Sequence, residues 1–190
     1  MDLCHYLRIQ ARANRLSNFR LHQAMRPLSG DELHAPRVSF FPSLAQTLNH
    51  ILEVDLFYVG VLYRERGLRE IFDTFVPADE LAALAARQAE SDKRLIVFCD
   101  GLDAAGCDAV VEIPRSDHVQ RDRAGHLLAH LFNHQTHHRG QVHAMLAGTP
   151  AAPPQLDEFM MPSEAHLRAS DMAALGWSED AVYADPASPS

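Results

Sequence analysis

The stretch HLLAHLFNHQTHHRGQVHAML, His126 to Leu146, sets histidines inside an apolar helical stripe, and this constrains the fold more than any other feature. At about 100° per residue, Leu127, Leu131, His134, His138, Val142 and Met145 share one arc. That arc has to face a core, so the rings of His134 and His138 must be buried among helices that satisfy their nitrogens. His126, His130 and His137 lie progressively toward one edge, and His143 lies on the opposite, polar side. The i, i+4 series His126, His130, His134, His138 therefore offers three pairs. Only the last has both rings in the stripe.

Three further segments read as helices. Leu3 to Met25 places Leu3, Leu7, Asn14, Leu21 and Met25 near one face and ends before Pro27. Pro42-Ser43 opens a second helix that runs to about Arg66, with Leu44, Leu48, Ile51, Leu52, Asp55, Val59 and Leu62 as its stripe and Gly67 as its close. LSGDELHAPRVSFFP, between them, reads as loop. The third helix starts near Pro77 and frays near Gly101. AVVEI makes a short extended segment, and the fourth helix covers about Val119 to Ala147. The expectation is an all-α fold: an antiparallel four-helix bundle whose long connections permit crossover topology. The bundle is assigned residues 1–150. The linker-like TPAAPPQ leads into an extension, 151–183, packed on the bundle. A short helix spans Ser163 to Leu175, with Gly176 as its stop. Phe159, Met160, Met161, Leu167, Leu175 and Trp177 are too apolar for a free tail. Residues 184–190 are assigned to a disordered tail.

A net charge of −8 and a pI near 5.8, with no basic stripe, argue against nucleic-acid binding. The longest apolar run, LFYVGVLY, is too short for a membrane span. Cys4, Cys99 and Cys107 form no C-x-x-C pair, and the N-terminus has no apolar signal region. The expectation is a cytoplasmic protein whose partner is a small molecule.

Two imidazoles one turn apart can hold a divalent cation. A third ligand should come from a facing helix. His50, in SLAQTLNHILEVD, lies at the border of the second helix's apolar arc and is the best placed; His5, His22 and His34 are rivals by type. No cysteine stands at a suitable spacing for a closed structural zinc. Three histidines leave positions for water, which the ion would turn into a nucleophile, or for a thiol bound as thiolate. Imidazole suits several metals; zinc and nickel stand ahead of iron and manganese. Asp55 falls in mid-stripe. It is either an acceptor or base beside the metal or one end of a buried bond to Asn14 or Arg15, and the structural role is the default. His137 is a second weak catalytic candidate.

ANRLSNFRL, SLAQTLNHILEVD and LFNHQTHHRGQVHAML, with one histidine in the second helix and H-x-x-x-H-R-x-Q in the fourth, resemble the DinB/YfiT-like (damage-inducible DinB) family of metalloenzymes over roughly residues 1 to 150. The resemblance implies a four-helix bundle of unusual connectivity, often a homodimer, with a divalent metal on three histidines in an interhelical cleft. Carried onto this chain, the ligands are His50, His134 and His138. Arg139 and Gln141 match the trailing motif residues. Better understood relatives use low-molecular-weight thiols as S-transferases or a thiol-dependent isomerase, and many others are described only as hydrolases. Two readings follow: a metal-dependent hydrolase or thiol transferase acting on a small molecule, or a non-catalytic metal-binding or stress-response interaction protein.

Overall fold

The computed structural model describes residues 1–157 and 161–183. Four long helices carry the architecture: α1 (Leu3–Met25), α3 (Leu44–Leu62), α5 (Leu81–Asp100) and α7 (Ala124–Leu146). Shorter helices α2 (Gly30–His34), α4 (Ile71–Thr74), α6 (Ala104–Asp108), α8 (Ala165–Leu175) and α9 (Glu179–Tyr183) lie in the connections and the C-terminal segment. α1 packs on α5 and α7, and α3 packs on the same two helices. Consecutive long helices α1 and α3 thus sit across the bundle diagonal, which is the crossover arrangement that the long connections permit.

Local chemistry sets the starts. The Asp2 carboxylate accepts from the His5 backbone N–H, and the Ser43 hydroxyl accepts from Gln46, each satisfying an orphan donor of a first turn. Several ends differ from expectation. α3 stops at Leu62, short of Arg66, because Arg64 turns left-handed at φ 55°. Glu65 N–H then reaches Gly60 O at 3.0 Å and Arg64 N–H reaches Val61 O at 3.0 Å, a Schellman closure without glycine at its pivot. The pivot is three residues before Gly67. α5 starts at Leu81, not Pro77, because Asn49 holds Ala78 by two bonds, 2.8 and 2.9 Å, that keep this stretch outside the helix.

The largest correction precedes α7. Val119–Arg123 is strand β2, not helix, paired antiparallel with β1 (Val110–Pro114). β1 buries Val111 and Ile113 against the bundle, which anchors the hairpin and leaves VQRDR to pair with it. α2 also lies in the segment read as loop, capped by Ser29. Leu3, expected on the core face, is exposed.

The core has two apolar clusters. One gathers Leu7, Phe57, Val61, Leu95, Leu128 and Leu131. The other gathers Leu21, Leu48, Leu52, Leu84, Val142 and Leu146. Between them along all four helices lie Asn14, Asn18, Asp55, Gln88, Asp92, Gln135 and Arg139, all buried. A third, smaller cluster joins Leu16 of α1 to Met172 of α8 and Val182 of α9, with Leu175 and Trp177 packed on it. Met161 and Leu167 are exposed, contrary to the expectation that they are covered. Phe159, Met160 and the 184–190 tail lie outside the described residues. No helix among these residues is long and apolar enough to cross a membrane.

Candidate metal centre

α3 supplies His50 and α7 supplies His134 and His138 to one site at the seam of the two helices. One ligand nitrogen from each ring lies within 4.8 Å of the others. His134 Nε2 and His50 Nε2 are 3.1 Å apart. The His138 ring meets those of His50 and His134 edge-on, at 4.6 and 4.4 Å between centroids. Nitrogens bound at about 2.0–2.1 Å to one tetrahedral zinc ion stand about 3.3–3.4 Å apart, so the rings have to draw together, by at most about 1.5 Å, to close on an ion.

The hydrogen bonding favours coordination. His138 Nδ1–H donates to Gln141 Oε1 at 2.8 Å, which fixes the tautomer with its lone pair on Nε2. Gln141 Nε2 in turn donates to His137 Nε2 at 3.2 Å. His134 Nδ1 is buried with no hydrogen-bond partner. A ring keeps that orientation when its other nitrogen gains a strong interaction, and a cation shared with His50 and His138 provides one.

Burial, then the neighbouring His138, pushes His50 down to about 4. Burial followed by His138, His50, His130 and His137 pushes His134 down to about 3. Burial lowers His138 as well, against its bond to Gln141. All three are neutral at pH 7, the state in which imidazole binds metal. No carboxylate or thiol joins the group among the described residues, so a bound ion keeps positions open for exchange. Phe41 walls one side, 4.3 Å from the His50 ring and 5.7 Å from His138, with Phe40 edge-on behind it.

Comparison with known proteins agrees with this geometry. A model of the DinB family matches residues 9–171. The chain belongs to the DinB family. It is also similar to Protein DinB of Bacillus subtilis (strain 168), 26% identical over 144 residues that cover 72% of this chain and 83% of that protein. The DinB match runs through the Pro-rich connection into α8, beyond the 1–150 span that the three sequence motifs cover.

The remaining candidates of this DinB protein separate clearly. Asp55 Oδ2 accepts from Gln88 at 2.6 Å and from Gln135, so it belongs to the buried layer and not to the imidazoles. Its partners are on α5 and α7; Asn14, one partner considered for it on α1, bonds Asp92 at 3.2 Å instead. His137 is exposed and meets the site through Gln141 and the edge of His138. Of the rival ligands, His5 Nε2 pairs with Tyr183 O and His34 Nε2 with Asp79 O, while His22 is buried beside α1's own backbone. His126 pairs with Asp122.

Sequence reasoning gave Gln141 no role beyond its match to the motif and missed Phe41. Gln141 stands three residues after His138, a spacing at which helical side chains meet, so the signal was present. Phe41 sits just before α3 in a segment without periodicity, where nothing local pointed to the site.

Proposed function

We propose that this protein is a metal-dependent enzyme that acts on a small molecule, using a divalent ion on His50, His134 and His138 to activate water or a low-molecular-weight thiol. The observation that carries this reading is the convergence of three neutral imidazoles, joined by no carboxylate or thiol among the described residues. When bound, the ion supplies Lewis acidity that brings the pKa of a bound water or thiol toward neutrality. The chain's own residues do the rest. Gln141 holds the His138 lone pair toward the site. Phe41 excludes water from one flank and offers an apolar wall to a substrate. Zinc and nickel suit such a donor set, with iron and manganese behind them. A homodimer and a cytoplasmic location accord with this reading.

Alanine replacement tests the ligand set. His50→Ala, His134→Ala and His138→Ala should each lose the ion in elemental analysis, while His126→Ala and His130→Ala keep about one per chain. Retention by His134→Ala with loss in His130→Ala would place the site one turn away. Activity profiling of the metal-loaded protein with a panel of thiols and electrophiles then separates hydrolase from transferase. Turnover that needs no thiol identifies the hydrolase.

A further inference from the structure

A cavity of about 180 Å³ opens between α3, α7 and the hairpin, lined by Tyr58, Arg115, Gln120, Asp122, His126 and His130 among others. It continues the line of the histidine site. The Tyr58 and His130 rings meet edge-on at 5.2 Å, and His130 lies 6.4 Å from His134. His130 is one helical turn from His134, roughly 6 Å along α7. The cavity's lining stops at His130, so His130 is the residue that stands between the two places.

Arg115 gives this cavity its chemistry. It is half-buried, with Nε and Nη2 both donating to Gln120 Oε1, at 3.0 and 2.9 Å, and Nη2 also reaching the Tyr58 hydroxyl at 3.3 Å. Its neighbours on β2, Arg121 and Arg123, each hold an acid, Glu112 and Asp108. Among the described residues Arg115 has only these neutral acceptors, in a chain with 25 acidic and 17 basic side chains. A guanidinium braced in one plane, partly desolvated and without a carboxylate, is arranged for an oxyanion from outside. The Tyr58 hydroxyl accepts from Arg115, so its own proton is available to donate. Asp122, the carboxylate in the lining, is already engaged by His126 Nδ1 at 2.9 Å and by the Arg123 N–H.

We propose that Arg115, Tyr58 and His130 form a subsite for an oxyanion substituent of the substrate, a carboxylate or a phosphate, whose reacting end extends to His50, His134 and His138. This rests on the metal-dependent reading above for its second half. It makes Arg115 a specificity-determining residue and narrows the substrate class to anionic small molecules.

The test titrates succinate, inorganic phosphate and neutral succinamide into metal-free and zinc-loaded protein. Binding is followed by calorimetry and by the arginine Nε–H signals in NMR spectra, with metal content measured on the same samples. A saturable shift of the Arg115 signal with succinate or phosphate, absent with succinamide, is expected in the metal-free protein, and the tighter anion identifies the source. Arg115→Gln should weaken it at least about tenfold, the scale of a hydrogen bond to a charged group. Tyr58→Phe, which keeps the ring packing, should weaken it several-fold and stands in if Arg115→Gln does not fold. No saturable response to either anion, an equal response to succinamide, or unchanged affinity in the folded variants would overturn the subsite. Metal binding without anion binding refutes the subsite alone. Anion binding without metal binding refutes the metal centre and leaves the subsite standing.

Discussion

Gln141 shows how one side chain decides what a histidine can do. Its oxygen takes the Nδ1 proton of His138, so the ring presents a lone pair at Nε2 without a search among tautomers. Gln141→Leu keeps the helix and much of the volume but removes that acceptor. Metal affinity should fall about 10–100-fold, as for other residues that orient a ligand from behind, while the melting temperature of the metal-free protein stays nearly unchanged. Competition with a chromophoric chelator reads the affinity; equal values for both proteins would show that His138 needs no orientation. The same helix shows what residue spacing conceals. His134 and His138 are legible as a pair because they stand one turn apart. Their position on the helix is not, since hydropathy assigns Gln135 and Arg139 to the solvent side. Both are buried, and His134 sits at the margin of the buried arc, half-exposed. A polar residue satisfied by other polar residues carries no hydropathy signal.

Those two residues belong to a layer that ties the four long helices together. Asp55 on α3 accepts from Gln88 on α5 and Gln135 on α7; Asp92 on α5 accepts from Asn14 and Asn18 on α1; Arg139 donates to Asn14, Asn18 and Gln135. Burial and the nearby Asp92 push Asp55 up to about 7, against the bonds from Gln88 and Gln135 and the Arg139 charge. Asp92 is pushed up to about 6, chiefly by burial. In the unfolded chain such a carboxyl ionises near pH 4. The folded state therefore binds more protons in between, and the layer's contribution to stability falls as pH rises from about 4 to about 7. Asp55→Asn keeps an oxygen for both glutamine amides and cannot ionise. Its stability relative to the parent protein should improve from pH 5 to pH 8 in urea unfolding. A gap that does not move with pH would mean that Asp55 is not the titrating group. Asp55→Ala, which strands two buried amides, should instead cost about 1–3 kcal/mol at every pH. At the scale of elements, α1 was legible from about Leu3 to Met25 because one apolar stripe runs the length of the segment and Pro27 ends it. The starts of α5 and α7 were not. Asn49 reaches Ala78 from another helix, and β2 exists only because β1 pairs with it; both causes lie far from the affected residue in sequence.

The whole molecule adds a C-terminal segment whose helices pack on α1, while its connection touches α7: His143 donates to the Pro154 carbonyl at 3.0 Å, and Ala151 and Leu156 join the apolar cluster of Leu48, Val142 and Leu146. Leu16 of α1 is 1% exposed because Met172 and Val182 cover it. Arg20 reaches Asp171 at 2.6 Å and the carbonyls of Gln155 and Leu167, and His5 meets the Tyr183 carbonyl at 3.0 Å. Arg168 is fully buried, bonded to Glu179 and to the Met161 carbonyl and stacked over Tyr183. The apolar content of this segment was legible as a sign that it packs, but its anchor is a buried arginine that hydropathy scores as surface. Ending the chain after Thr149 uncovers Leu16 and strips Arg20 of its acid. Burying side chains such as Met172 and Val182 contributes about 1.5–3 kcal/mol each, and in a chain of this size one kcal/mol moves the melting temperature by roughly 2–4 °C. The truncated protein should melt on the order of 10 °C lower. Its three ligand histidines lie on α3 and α7, whose packing on each other does not pass through the segment, so it should still bind about one ion per chain. Its oligomeric state should be that of the full chain, since the surface it uncovers was covered from within. Thermal denaturation, elemental analysis and light scattering on one preparation separate the outcomes: a change of assembly state would make the segment an interface, and loss of the ion at an unchanged melting temperature would make it part of the metal centre.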